Sequence, residues 1–434
     1  MYVNPTGILG GAEMCLLDIL ASLRAGRPGW SPRVLLGADG PLRGAVGELG
    51  VECEVLPLPP ALAGLGDAGL NRGTGGGGRR VAAGLALLLR GPGAVAATAS
   101  YRARLGRALQ AAEPDVVHTN GMKAHVLGTL AAPRGVPVVW HMHDFCAARP
   151  VMARLLRLVA RRRPGGVRVV GVSHAVAADV ARVLGPGVPV EAVYNAVDLA
   201  RFAPGPGNGA WLDAEAGLPP APPGTVRVGL VATYATWKGH DVFLEAAARV
   251  DRALPARFYV VGGPLYRTGG SQCSPAELQA RAERLGLAGV VGFVPHQKAP
   301  EAVFRALDVV VHASTRPEPF GRVIVEAMAC GRAVIAARAG GAAELFDEGV
   351  TALGCPPGMP DALAAAVSRL VAAPELRRVL GEAGRRAAIH RFDRAGLAEA
   401  WARVYGAPDD GPRKGQDAAP ARAQALTPEA EAHA

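Results

Sequence analysis

The sequence predicts an α/β protein made of two doubly wound parallel-sheet domains. Three observations carry that prediction. Short apolar runs, each followed by a turn and a stretch of helical periodicity, recur from Tyr2 to about residue 200. A Pro- and Gly-rich stretch, 204–224, then interrupts them. The same alternation restarts at Val226 and continues to about residue 390. With 434 residues the chain has room for two domains of ordinary size plus accessories. The expected partition is 1–203 for the first domain, 204–224 for a linker and 225–390 for the second domain. A closing helix, 391–406, and a disordered tail, 407–434, complete it.

In the first half, Tyr2-Val3-Asn4 reads as the end of a strand, and Gly10-Gly11 as the turn before a helix whose apolar face is Leu16, Leu17, Leu20 and Leu23. Strands follow at Val34–Leu36 and Val51–Leu56. From Pro59 to about Arg80 the chain is rich in Gly, Ala and Pro, which predicts either a flexible loop over a cleft or disordered padding. After a helix over 97–112 come two buried strands with polar residues at their carboxyl ends: His118 and Asn120 on one, His143 and Asp144 on the other. Ligands of open parallel sheets bind beyond those ends, so these side chains are candidates for one wall of a cleft. Strand Val167–Val172 leads to Ser173, a helix cap.

In the second half, strand Val226–Val231 precedes Thr233, Lys238 and Gly239, with Lys238 at a helix start. A cation is unfavourable at that end of a helix dipole unless an anion shares the site. Strands over 258–261, 290–293 and 308–312 follow, then one over 333–336, a turn at Gly340-Gly341 and helices near 360–371, 375–390 and 394–406.

The densest chemistry lies between residues 315 and 331. Pro317 and Pro319 keep the chain extended, and Phe320-Gly321-Arg322 then opens a helix. Helix-start amides suit a phosphate, while the flanking carboxylates Glu318 and Glu326 suit sugar hydroxyls. Together they point to a nucleotide-sugar.

Pro-Glu-Pro-Phe-Gly, the Glu-x7-Glu spacing of Glu318 and Glu326, and Glu-Ala-Met-Ala-Cys-Gly resemble the signature of the family 4 retaining glycosyltransferases (group 1), which have the GT-B fold of two facing Rossmann-like domains. The Gly10-Gly11 turn, the His143-Asp144 strand end and Asn195-Ala196-Val197-Asp198 are similar to further family segments. Relatives carry more apolar residues ahead of the first strand, which points to a misplaced start or a truncated chain. The resemblance implies a hexosyltransferase-type reaction from a nucleoside-diphosphate sugar to a hydroxyl acceptor, with no cofactor and no metal ion. It implies catalytic roles for Lys238, Glu318 and His143, and donor contacts from Gly10, Gly11, Thr233, Lys238, Glu318, Phe320, Gly321, Arg322 and Glu326. The family has an arginine where this chain has Thr233; Arg322, or else Arg267, is the expected source of the missing charge.

Composition limits the alternatives. No apolar run reaches the roughly 18 residues that span a bilayer, and the N-terminus lacks a basic segment followed by an apolar core. The six cysteines have no metal-ligand spacing and read as free thiols of a reducing cytoplasm. Net charge is +10, carried almost wholly by arginine, and the run Arg161-Arg162-Arg163 is a candidate for peripheral contact with an anionic membrane. No interleaving of aromatic and basic residues suggests a nucleic-acid module. A dinucleotide-dependent oxidoreductase would need Gly-x-Gly-x-x-Gly after the first strand, which is absent. A non-catalytic sugar-nucleotide-binding protein is the remaining alternative, favoured by Thr233 and opposed by the Lys238, Glu318 and Glu326 set.

Overall fold

The computed structural model describes residues 1–63, 91–163, 165–264 and 272–407. Most of the Gly-rich loop, Arg267 and the tail after 407 lie outside the described residues. The first sheet comprises β1 (Tyr2–Asn4), β2 (Arg33–Leu36), β3 (Glu52–Val55), β4 (Val117–Asn120), β5 (Val138–Met142), β6 (Val167–Gly171) and β7 (Val190–Ala192). Its order is β3-β2-β1-β4-β5-β6-β7 and every pairing is parallel. The second sheet comprises β8 (Val226–Val231), β9 (Ala256–Gly262), β10 (Val291–Pro295), β11 (Val309–His312), β12 (Ala333–Ala337) and β13 (Leu353–Cys355). It is also fully parallel, in the order β10-β9-β8-β11-β12-β13. Each order reverses beside its first strand, and the crevice at such a reversal is where open α/β sheets bind ligands.

Period-2 alternation decides which layer each strand residue enters. Along β5, Val138, Trp140 and Met142 join the core beneath α4 (Met122–Ala131), α5 (Pro150–Arg161) and α6 (His174–Leu184). Val139 joins the opposite core, under α1 (Gly11–Gly26). That opposite core also holds Leu397, Trp401 and Val404 of the last helix, Leu397–Tyr405, which packs back against the first domain. Trp401 is only 1% exposed, and Arg27 of the first domain pairs with Glu399 at 2.7 Å.

Two expectations change. The 204–224 segment is more than a linker: it forms the helix Gly209–Glu215, capped by Asn208, and buries Leu212 and Asp213. Asp213 pairs with Arg227 at 2.8 Å and Arg257 at 3.2 Å, so the segment is fastened to the second domain. The basic run is also split. Arg163 turns inward and donates to the carbonyls of Ala132 (3.0 Å), Pro133 (2.6 Å) and Val136, while Arg161 and Arg162 stay exposed. Among the described residues no helix is long and apolar enough to cross a membrane.

Because Trp401 fills the core shared by α1 and the last helix, Trp401→Ala is expected to lower unfolding free energy by about 3–5 kcal/mol. The denaturant midpoint of the purified protein measures this, and a loss below about 1 kcal/mol would mean that the helix is not integral to the first domain.

Candidate active site

The second domain supplies a cation and a carboxylate from adjacent strand ends. After β8 the chain makes a 3-10 turn, Thr236–Lys238, and then Gly239 at φ 77°. An added Cβ at Gly239 would lie 1.9 Å from the Ala313 carbonyl oxygen, so only glycine lets this turn dock against the end of β11. The Thr315 N–H donates to the Trp237 carbonyl at 2.8 Å and joins the two loops. Lys238 Nζ then donates to both oxygens of Glu318, at 2.9 and 2.8 Å. Behind this pair, Ser314 Oγ donates to Glu318 Oε2 at 2.6 Å, and His312 Nε2 lies 3.1 Å from Ser314 Oγ. Burial alone would raise the pKa of Glu318. The Lys238 ammonium and His312 outweigh it and hold the carboxyl well below the usual range. Glu318 is therefore ionised and aimed.

Glu318 is also pinned through its backbone: its carbonyl accepts the Gly341 N–H at 2.7 Å, and its N–H donates to the Ala339 carbonyl at 3.2 Å. Three residues on, Gly321 takes φ 100° and starts the helix Arg322–Ala329. The side chain of Phe320 turns inward. It is 4% exposed, with Tyr194 and Phe392 rings each 6.1 Å away, and it packs at the domain junction.

Arg322 departs from expectation. Its Nη1 lies 2.8 Å from Asp18 Oδ2 and 3.3 Å from the Ala196 carbonyl, both in the first domain, and its Nε lies 3.2 Å from Glu326 Oε1. Burial opposes this charge, but Cys15, Asp18 and Glu326 more than compensate and raise the guanidinium pKa. A cation enclosed by two carboxylates has no spare charge for a phosphate. Arg322 is an interdomain clasp, and Glu326 belongs to the clasp rather than to the Lys238–Glu318 pair. Burial raises the pKa of Glu326, offset in part by Arg322.

The first domain meets this arrangement with polar residues at three strand ends. His143 Nε2 donates to Asn120 Oδ1, and Asn120 Nδ2 donates to Asn4 Oδ1 at 2.7 Å and to the Ala12 carbonyl in the first turn of α1. Burial, with Arg322 nearby, pulls the His143 pKa down to about 3, so the ring is neutral and its Nδ1 is an acceptor. The Gly10 amide is already taken by Glu13 Oε2 at 3.1 Å. Gly11 faces open space, with nothing within 4 Å of an added Cβ. Thr233 is half-buried after β8, and its carbonyl accepts the Ala235 N–H at 2.7 Å.

His118 and Asp144 do not join the wall. His118 shares the face of Asn120 but sits two residues deeper, roughly 7 Å back along the strand, where its Nδ1 meets Tyr405 Oη at 2.7 Å. Asp144 pairs with Arg149 at 3.3 Å. Sequence reasoning missed Asp18, and it missed Glu344, which spans the domains by accepting the N–H groups of His174 (2.9 Å) and Ala175 (2.7 Å) and the Tyr194 hydroxyl (2.9 Å). Among the described residues, no cluster of three or more His, Cys, Asp or Glu could hold a metal ion.

Models of the families described as "Glycosyltransferase Family 4" and "Glycosyl transferases group 1" match residues 9–201 and 220–387. A D-inositol 3-phosphate glycosyltransferase 2 of Catenulispora acidiphila is 33% identical over 312 residues, 67% of this chain and 70% of that protein. This chain belongs to glycosyltransferase family 4. A second relative, the D-inositol 3-phosphate glycosyltransferase of Segniliparus rotundus, is 38% identical, but the match spans only 42% of its length and 45% of this chain. Among solved structures, Anabaena HepE in complex with UDP-glucose is similar at TM-score 0.72 and 26% identity, over 93% of this chain and 98% of that one. Sucrose-phosphate synthase from Thermosynechococcus elongatus shares the fold at TM-score 0.68 and 20% identity.

The buried histidines of this family 4 chain make its stability depend on pH. His125 is lowered to about 3 and His240 to about 4, and His118 and His141 are also lowered, in each case chiefly by burial. Below the ordinary value near 6.5 the unfolded chain binds protons that the native chain refuses, so stability is full above that pH and lost as pH falls. Each such group contributes up to about 1.4 kcal/mol per pH unit. The urea midpoint should fall steadily from pH 7 to pH 5, and a flat profile would contradict a neutral histidine cluster.

Proposed function

We propose that the protein is a retaining, metal-independent glycosyltransferase that transfers a sugar from a nucleoside-diphosphate sugar to an acceptor hydroxyl. The observation that carries this reading is the two-point pair of Lys238 with Glu318 beside the Gly321 helix start. An ammonium has three donors, and Glu318 engages two of them. The third serves a phosphate oxygen, with the first-turn amides after Gly321 beside it. Glu318 keeps lone pairs for hydroxyls of the donor sugar, and neutral His143 offers Nδ1 from the opposite wall.

In the reaction the anomeric C–O bond breaks and its electron pair leaves with the diphosphate. The acceptor oxygen forms the new bond on the same face, and its proton passes to the departing phosphate. Lys238 and the helix amides stabilise the charge that grows on that leaving group. UDP-glucose, present in the HepE structure, is the first donor to test, and an inositol phosphate, named for the relatives, the first acceptor. Six free cysteines suit work in the cytoplasm.

Lys238→Ala and Glu326→Ala are expected to lower turnover differently. Losing Lys238 should cost about 10²-fold or more in kcat, as for one preorganised donor to a leaving group. Losing Glu326 frees Arg322 and should reduce kcat and stability together. Nucleoside diphosphate release reads the first effect and a melting curve the second. Near-normal turnover in Lys238→Ala would overturn the assignment, EDTA-sensitive turnover the metal-free mechanism, and an inverted anomeric centre in the product's NMR spectrum the retaining one.

A further inference from the structure

Three neighbouring helices of the layer that covers one face of the first sheet, beside α6, have a composition the transferase reading leaves unexplained: Gly91–Ala111, then α4 and α5. They pack side by side in that order. Their sequences contain seven Lys or Arg residues and no Asp or Glu. Arg102, Arg107, Arg154, Arg157 and Arg161, with Arg162 just after α5, are exposed. None of these six forms an ion pair among the described residues. The acids nearest in sequence are elsewhere or occupied: Glu113 and Asp115 follow the first helix, Asp144 pairs with Arg149, and Asp179 pairs with Arg182.

The same layer exposes apolar side chains. Among the described residues nine large hydrophobics are exposed, and four of them lie here: Val95 at 60%, Leu158 at 47%, Leu130 at 38% and Val151 at 36%. On α5, Val151 and Leu158 are seven residues apart and so share one side of the helix, with Arg154 between them. No aromatic side chain is exposed on these helices, since Tyr101 is buried. A single-stranded nucleic acid would seek aromatic stacking as well as cations. A cationic surface studded with aliphatic side chains fits the headgroup layer of a membrane, where arginines meet lipid phosphates and the aliphatic groups enter the acyl boundary.

We propose that this helical layer is a docking surface for an anionic lipid bilayer. It goes beyond the transferase reading and does not depend on it. Four cations on one short helix and its end are enough for reversible binding, since each contributes about a fivefold factor near an anionic surface. The dependence on salt is steep, because the interaction is screened within a Debye length.

The test is co-sedimentation of the full-length protein with vesicles of phosphatidylglycerol and phosphatidylcholine, against vesicles of phosphatidylcholine alone. Binding is expected only to the anionic vesicles and should weaken at high salt. Two variants separate the contributions: Arg154→Ala/Arg157→Ala/Arg161→Ala/Arg162→Ala, and Val151→Ser/Leu158→Ser. The first should weaken anionic-vesicle binding at least a hundredfold, and the second severalfold at unchanged charge. Both should keep the parent melting temperature, which shows that they fold. The proposal is overturned by absence of binding to anionic vesicles, by parental binding of the arginine variant, or by equal binding of the serine variant and parent. It is also overturned if a mixed-sequence oligonucleotide displaces the protein from vesicles at stoichiometric concentration.

Discussion

The junction between the two domains depends on one buried guanidinium. Arg322 leaves the first turn of a helix in the second domain and reaches Asp18 and the Ala196 carbonyl in the first, while Glu326 holds its other edge. Taking one cation and two carboxylates out of water is costly, and the cost is offset only when all are present in good geometry. The same junction carries Arg394 between Asp18 (3.7 Å) and Asp198 (3.0 Å), and a backbone contact from the Val197 N–H to the Phe392 carbonyl at 2.8 Å. Glu344 adds a carboxylate at the start of α6, where the helix dipole favours it. Charge pairs and the two adjacent crossings of the chain, at Val197 and Phe392, thus fix the relation of the two sheets at the cleft.

This constraint explains how the two glutamates of the opening motif divide. They are eight residues apart and both nearly buried, yet they belong to separate networks. Glu318 is ionised because Lys238 faces both of its oxygens, and Ser314 and His312 set its direction. Glu326 is burdened by burial, and Arg322 beside it offsets only part of this. A general acid and base pair would need two carboxyls acting on one bond from opposite sides. Here one carboxylate faces the Lys238 cation and the other secures the domain junction.

Local patterns made much of this legible in the sequence. The parallel strands are visible as short apolar runs, and Lys238, Glu318 and Gly321 as residue types that make poor sense on an ordinary helix start. Arg322 could be singled out, but its partner Asp18 is 304 positions away, and no periodicity reports a contact at that distance. Glu344 and Tyr194 are hidden for the same reason. His118 shows a different limit: alternation places it correctly on the face of Asn120, but only the depth of the returning helix shows that it lies beneath Tyr405. In 204–224, Pro and Gly outnumber the signals of a seven-residue helix, so that helix is invisible until Asp213 is seen with Arg227 and Arg257.

The charge arrangement also bears on how a diphosphate would be held. Both cations nearest the Gly321 helix start, Lys238 and Arg322, are already matched by carboxylates, and the family's arginine is replaced by Thr233. Attraction for a doubly charged ligand would then come largely from the N–H of Lys238 that Glu318 leaves free and from the amides of the helix start. Such dipoles are fixed in place by the fold and lose little by reorienting when the ligand arrives. Lys238 is the only group in this set whose charge can be redistributed, because strengthening its bond to phosphate weakens its hold on Glu318. Charge growing on a leaving group would draw the ammonium away from the carboxylate. That would free Glu318 to bind sugar hydroxyls more strongly at the moment the anomeric bond breaks, and on the proposed reading the pair would couple leaving-group stabilisation to the grip on the transferred sugar.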